Sequence, residues 1–534
     1  MAFRSRGLPS RGCNKCRSKK IRCDETKPIC QNCIRVAYTE CKYRDEFERT
    51  WRIHTEKTVE KAVEKAAKRP DSPVCPILAR FFYDWTTGKA GAPGASLSWL
   101  DGLPTMYENV NQGGLLHQSV LALAHVNHGK RCGDAESIEK GTKYYGEALR
   151  KMREIISADH DTSLRDVLAS AVLLGVHEAF VDPSISPSGS WLSHACGASV
   201  FLNRKIDPSK LSQSPVDLQI RSMVFRQTLH GSLVSGRRPP LSLDHDRILD
   251  SPALQYVQDS TKLLYKATLL CSEWRSVLTD LHVTSDLDRL AKVAEHALSL
   301  DGELEQWERL LPSPFRYKPR PIAVSEATPD WLRHLLTSPG APSSWHEPDG
   351  PLSEMLWRFH WEVRMILCQA LLHTNLVLGS QDSSINPMRG REGEVESRLL
   401  NIIDRLCEAC ITPLIMASDK TSAAATGPKI EDIPSIRGYL MLHILPGVNL
   451  CLRQTVIRSV DVDLRDRRTW VQAMGDFVQF RLGFTKAAAE IDTIRLRKLP
   501  IQLWSFGSED CWSLGRQESS AASEALAEMD GSFR

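Results

Sequence analysis

Six cysteines lie close together near the N-terminus, spaced Cys13-x2-Cys16-x6-Cys23-x6-Cys30-x2-Cys33-x7-Cys41. Thiolates at this density do one of two things: they pair as disulfides or they hold a soft metal ion. Residues 1–12 contain no apolar run, so no secretory signal peptide is expected, and in a reducing compartment clustered cysteines act as metal ligands. Zinc takes four tetrahedral ligands, and thiolates suit it. Six thiolates fill one such site and leave two over. Two sites need eight ligand positions, which six cysteines supply only if two of them bridge both ions. The spacing is nearly two-fold repeated: a C-x2-C pair, a helix-length spacer and a further cysteine, then the same again. The first cysteine of each pair, Cys13 and Cys30, is therefore the expected bridge in a set made of Cys13, Cys16, Cys23, Cys30, Cys33 and Cys41.

Folding energetics lead to the same expectation. The 29 residues from Cys13 to Cys41 hold too few large apolar side chains for a core. Metal binding must supply the folding free energy, on the order of 10 kcal/mol or more per structural zinc.

Charge tells what the module faces. Residues 1–44 carry 12 basic side chains against Asp24, Glu25 and Glu40, a net +9. The whole 534-residue chain has a net charge of +3, so the other 490 residues carry −6. Within the module the charge is one-sided. Arg17, Lys19, Lys20 and Arg22 lie between Cys16 and Cys23, whereas Arg35 stands alone between Cys33 and Cys41. Two zinc ions and six thiolates together add about two negative charges, so the loaded segment stays strongly cationic and suited to a polyanion. A short metal-pinned helix ending in Lys19 and Lys20 can enter the major groove of double-stranded DNA, where lysine donates to guanine O6 and N7. Lys15, Arg17 and Arg22 would contact phosphates, which position the module without reading sequence.

The remaining elements must carry and regulate this head. Residues 1–12 read as a basic arm. Residues 45–69 lack glycine and proline, are rich in Glu, Lys and Ala, and stop at Pro70. They are expected to form a helix within a 42–70 linker, with Phe47, Trp51, Val59, Ala62, Val63 and Ala66 on one face. The late seam positions are mostly alanine, which suits a spacer; a homodimer seam is the other role this helix admits.

From Cys75 the pattern is repeatedly helical, so the fold class is mainly α, with an all-helical body over 75–505. Helices are expected over Leu115–His128, Ala135–Ile156, Ser163–Phe180, Trp191–Asn203, Leu218–Leu233, Ser260–Thr279, Leu287–Leu311, Leu356–Leu378, Glu394–Met416, Ile436–Val460 and Thr469–Leu496. The proline-rich run from Leu311 to Pro351 and the stretch Thr421–Pro434 read as loops. Residues 506–534 form an acidic tail. Apolar stretches such as Val167–Val176 reach about ten residues, half of a membrane span, so no membrane association is expected.

Other constellations have plainer explanations. Cys407-x2-Cys410 lies in an apolar helical run with no second pair at metal spacing, and the remaining body cysteines are expected to be buried small hydrophobes. His177–Glu178 is not a zinc-protease motif, because position 181 is Val181. His194 is expected to be a packed, hydrogen-bonded histidine. No phosphate loop, nucleophile elbow or dinucleotide fingerprint is present, so no enzyme is expected.

The run Cys-Asn-Lys-Cys-Arg-Ser-Lys-Lys-Ile-Arg-Cys-Asp from Cys13, followed by Lys-Pro-Ile-Cys-Gln-Asn-Cys from Lys27, resembles the fungal zinc binuclear cluster (Zn2Cys6) transcription factors. All six spacings fit that family. Lys19 and Lys20 match its base-contacting position, Lys20 better matching the residue that reads a CGG-type triplet, and Pro28 matches the proline between its half-clusters. Tyr43-Arg44-Asp45-Glu46 and the series Glu178, Trp191, His194, Gly197-Ala198 and Arg204 resemble a large subset that carries a fungal-specific transcription factor domain. The resemblance implies a nuclear, two-zinc regulator of RNA polymerase II genes that reads CGG-type half-sites as a monomer or dimer and works with the transcription machinery. Regulators of this subset often control secondary-metabolite or nutrient pathways. A zinc-dependent protein-interaction scaffold or co-regulator without its own DNA specificity is the alternative that the residues leave open.

Overall fold

The structure is a computed structural model that describes residues 13–26, 29–36 and 41 of the head and most of 75–485 of the body; the larger stretches outside it are 1–12, 42–74, 87–98, 182–193, 203–214, 244–254, 420–429 and 486–534. The basic arm, the 45–69 helix, Trp191, Arg204 and the acidic tail therefore lie outside the described residues.

The head contains two five-residue helices, α1 (Asn14–Ser18) and α2 (Gln31–Arg35). The body contains α3 (Cys75–Trp85), α4 (Leu103–Glu108), α5 (Leu115–Cys132), α6 (Ala135–Ser157), α7 (Leu164–Val181), α8 (Pro215–Ser235), α9 (Gln255–Thr279) and α10 (Thr284–Leu310). It continues with α11 (Asp330–Thr337), α12 (Pro351–Gly379), α13 (Glu392–Asp419), α14 (Ser435–Tyr439), α15 (Ile444–Arg453) and α16 (Leu464–Leu482). The mainly helical expectation holds, and one apolar core runs through the body from Leu78 to Phe484.

The first hairpin of long helices shows how sequence sets packing. α6 is solvated on one face by the pairs Glu136–Lys140, Glu139–Lys143 and Arg150–Glu154 at 2.6, 2.8 and 2.5 Å. Its other face offers small residues to α5. A Cβ on Gly141 would lie 3.0 Å from the Val126 amide nitrogen, and one on Gly129 would lie 2.6 Å from Ile138 Cγ1. The two backbones approach closely because these glycines have no side chain. Gly133, at φ +70°, ends α5 in the left-handed conformation.

α12 lies in the middle of the body and buries charge as well as hydrocarbon: Glu354, Arg358, His360, Glu362 and Arg364 are all buried. Each finds partners. Arg364 pairs with Asp301 of α10 at 2.7 Å, and Arg398 of α13 contacts the other oxygen of the same carboxylate. His230 of α8 faces Glu362 at 3.2 Å. Arg358 pairs with Glu354 at 2.5 Å and also donates to the carbonyls of Leu440 and Ala409 at 2.6 and 3.0 Å. Two of the buried tryptophans also join distant elements: Trp274 donates to Thr374 Oγ1 at 3.0 Å and Trp470 to the Leu335 carbonyl at 2.9 Å.

Two stretches depart from the sequence expectation. The run Leu311–Pro351 is not all loop: it holds α11 and a two-stranded antiparallel ribbon, β1 (Pro319–Pro321) with β2 (Ser344–His346), in which Arg320 pairs with Trp345. Proline is tolerated there because the ribbon has only two strands, so each proline can present its donor-less nitrogen to the outer edge. The single helix expected over Ile436–Val460 is instead two, α14 and α15, broken around Leu440–Met441 by tight turns such as Met441 N–H to the Gly438 carbonyl at 3.0 Å.

Candidate metal centre and nucleic-acid interface

Among the described residues, cysteine is the only type in the buried centre of the head: Cys13, Cys16, Cys30 and Cys33 are buried and Cys23 and Cys41 flank them half-buried. Ile21, Ile29, Ile34 and Val36 are exposed. The six sulfurs form two groups of four, Cys13–Cys16–Cys23–Cys30 and Cys13–Cys30–Cys33–Cys41, with every sulfur in a group within 4.8 Å of the others. Cys13 and Cys30 belong to both.

The two groups are built alike. α1 follows Cys13 and α2 follows Cys30. The amide of Cys16 donates to the Cys13 sulfur at 3.4 Å, and the amide of Cys33 donates to the Cys30 sulfur at 3.4 Å. The amide of Cys13 donates to Cys23 at 3.4 Å, and that of Cys30 to Cys41 at 3.3 Å. Each shared sulfur thus caps a short helix and receives its N–H groups.

Electrostatics separate the shared sulfurs from the rest. Burial pushes the Cys13 and Cys30 thiols up, yet both end below the ordinary value, because backbone N–H groups and neighbouring thiols donate to them. Cys33 is pushed up to about 12 by burial and by the competing sulfurs of Cys30 and Cys13, and Cys16 is raised as well. The two shared positions therefore carry negative charge most readily, while the cluster as a whole resists full ionisation until a cation enters.

The donor set fits zinc. All six cysteines are free thiols, and adjacent sulfurs stand 3.6–3.8 Å apart. The edge of a tetrahedron with a Zn–S distance of about 2.3 Å is about 3.8 Å.

The basic residues lie where the sequence puts them, on the first half. Lys19, Lys20 and Arg22 are exposed and Lys15 is half-buried; the side chain of Arg17 lies outside the described residues. One feature was not legible beforehand. Lys20 has φ 56°, in the left-handed region, and the Ile21 amide reaches back to the Cys16 carbonyl at 3.0 Å. This is the closing turn of a Schellman motif, with a lysine where glycine is usual. The left-handed conformation costs a non-glycine residue about 1 kcal/mol and turns Lys20 away from the helix line. The halves are also tied by polar links: Asn32 Nδ2 donates to the Arg22 carbonyl at 2.6 Å, and the Gln31 amide to Asp24 at 3.1 Å.

The other constellations resolve as structure. Cys407 and Cys410 are buried in α13, the Cys410 thiol pushed up to about 12 by burial. His194 accepts or donates at 3.0 Å with Tyr145 Oη, which also donates to Glu178. His177 stacks on Tyr145 with ring centroids 4.5 Å apart. The expectation that the isolated body cysteines are buried fails at Cys132, which is exposed because α5 ends there.

The head thus offers two four-sulfur metal sites beside exposed basic residues, and the body that follows is mainly helical. Residues 11–50 match the family model of the fungal Zn(2)-Cys(6) binuclear cluster domain, and residues 98–298 match that of the fungal specific transcription factor domain. Both are families of regulatory DNA-binding proteins and not of enzymes, and the clustered cysteines of the head are a set able to hold metal. No curated protein and no solved structure matches the chain. No helix among the described residues is long and apolar enough to cross a membrane.

Proposed function

We propose that the protein is a nuclear, sequence-specific regulator of RNA polymerase II genes that reads CGG-type half-sites. Two zinc ions would be held by Cys13, Cys16, Cys23 and Cys30 and by Cys13, Cys30, Cys33 and Cys41, and their role is to fix α1 against α2. Lys20, with Lys19, donates to guanine in the major groove, and Lys15, Arg17 and Arg22 contact phosphates. The supporting observation is that both four-sulfur groups share Cys13 and Cys30 while exposed Lys19, Lys20 and Arg22 all lie on the first half. The domain limits 13–41, 42–70 and 75–505, a homodimer through 45–69 and a role in a secondary-metabolite or nutrient pathway are part of this reading.

The test is titration of the zinc-loaded full chain against duplexes with and without a CGG half-site, across a series of salt concentrations. Tighter binding to the CGG duplex is expected, with log Kd rising linearly with log salt concentration. Equal affinity for both duplexes at every salt would overturn specific readout.

A further inference from the structure

Of the twelve cysteines whose burial is described, Cys132 is the only exposed one. It closes α5, and its sulfur lies 3.7 Å from Nδ1 of His128, one turn earlier. The opposite ring nitrogen, Nε2 of His128, faces the Asp134 carboxylate at 3.9 Å. Asp134 is held in place as the N-cap of α6: it accepts from Ser137 Oγ at 2.7 Å and from the amides of Glu136 and Ser137 at 3.1 and 3.3 Å. Ser137 above all, and His128 in smaller measure, keep that carboxyl below the usual range, so it is ionised.

The imidazole thus stands between a thiol and a fixed carboxylate, using one nitrogen for each. Such donors do not converge on one point, so the trio is not a chelating site. Its geometry is that of a proton relay: carboxylate, imidazole and thiol stand in series, the ring nitrogen beside the sulfur placed to take the thiol proton. The two cations next to it are engaged elsewhere. Lys130 donates to Thr485 at 3.0 Å, and Arg131 to the Ile433 carbonyl at 2.7 Å and Ser435 at 3.1 Å. Access is open as well, since a Cβ on the neighbouring Gly133 would meet nothing within 4 Å.

We propose that Cys132 is an oxidation site of the regulatory body, its thiol activated by His128 and Asp134 towards a hydroperoxide. The thiol proton passes to His128 Nδ1, and the sulfur attacks one peroxide oxygen. An S–O bond forms as the O–O bond breaks. The departing hydroxide or alkoxide takes the proton from the imidazolium and leaves as water or alcohol. Sulfur is oxidised by two electrons to the sulfenic acid and the peroxide is reduced by two. The product sits beside Lys130 and Arg131, which tie the end of α5 to residues 433–435 and 485, so the modification falls on a seam between early and late parts of the body.

The test uses the zinc-loaded full chain, limiting hydrogen peroxide, dimedone trapping and mass-spectrometric mapping of each cysteine. Cys132 is expected to be trapped before every other body cysteine. In His128→Gln, which leaves the thiol exposed, the rate at Cys132 should fall at least ten-fold. Asp134→Asn keeps the helix cap and removes only the charge behind the ring, and should slow trapping about three-fold. Equal rates at Cys132 in the wild type and both variants, or earlier trapping at another body cysteine, would overturn the proposal.

Discussion

Arg358 donates to the carbonyl of Ala409 at 3.0 Å, and that carbonyl is the one that Pro413, four residues on in α13, cannot serve. A proline inside a helix removes one donor and costs about 3 kcal/mol. The guanidinium of a different helix replaces the missing N–H. Arg358 also takes the Leu440 carbonyl and pairs with buried Glu354, so one side chain joins α12, α13 and the break between α14 and α15.

Arg358→Met should destabilise the body by about 2–4 kcal/mol, because it leaves two buried carbonyls unserved and leaves buried Glu354 with Arg437 alone, at 3.4 Å. Pro413→Ala restores an amide donor for the Ala409 carbonyl. The double variant should recover at least about 1 kcal/mol relative to the sum of the single effects. Denaturant unfolding of the four proteins in the cycle measures that coupling.

The shared sulfurs should be the costliest to lose. Cys13→Ala or Cys30→Ala opens both four-sulfur groups and should leave less than one zinc ion bound. Cys23→Ala or Cys41→Ala opens one group and should leave one ion. Metal analysis after gel filtration gives the stoichiometry, and loss of a structural zinc removes on the order of 10 kcal/mol of folding free energy from the head.

Lys20 separates stability from recognition. Lys20→Gly relieves the left-handed backbone and should hold zinc against a chelator at least as well as the wild type, with a gain of up to about 1 kcal/mol. On the proposed reading the same change takes away a guanine donor, so it should weaken CGG binding by about 1–3 kcal/mol. Arg22→Gln should instead weaken all duplexes alike and lower the salt slope by about 0.9.

The body should lose stability in mild acid. His346 is buried, stacks on Tyr317 and accepts the Lys318 amide on Nδ1 at 3.2 Å, a bond that only the neutral ring can make. Burial holds its pKa down to about 4 from the ordinary 6.5. The folded value is the lower one, so the unfolded chain binds the proton first. The contribution is whole above pH ~6.5 and is lost as pH falls towards 4, about 3 kcal/mol in the limit. His346→Asn keeps an acceptor for Lys318 and should flatten the fall in thermal midpoint across that window.

Much of this was legible in the sequence, for physical reasons that differ from place to place. Ligand counting and the two-fold repeat pointed to Cys13 and Cys30 as the shared positions, and the two four-sulfur groups do have those cysteines in common. The long helices followed from periodicity; α6 runs Ala135–Ser157 where Ala135–Ile156 was expected. What stayed hidden depends on three-dimensional neighbours. The break at Leu440–Met441 has no glycine or proline at the turn itself and is fixed by tertiary bonds such as that from Arg358. The β1–β2 ribbon looked like loop because its prolines remove the usual strand signal. The left-handed Lys20 and the exposed Cys132 are both helix-end positions, which periodicity places only to within a residue or two.

Among its described residues, the head has a buried centre made of cysteines alone and no hydrocarbon core beside it. On the proposed two-zinc reading, with both ions taken up together, its folded population would scale with the square of free zinc, about 2.7 kcal/mol for each tenfold change in concentration. Below that threshold the basic residues are still present but no longer held in one constellation. On that reading zinc supply would act as a steep gate on whether the head recognises any DNA site.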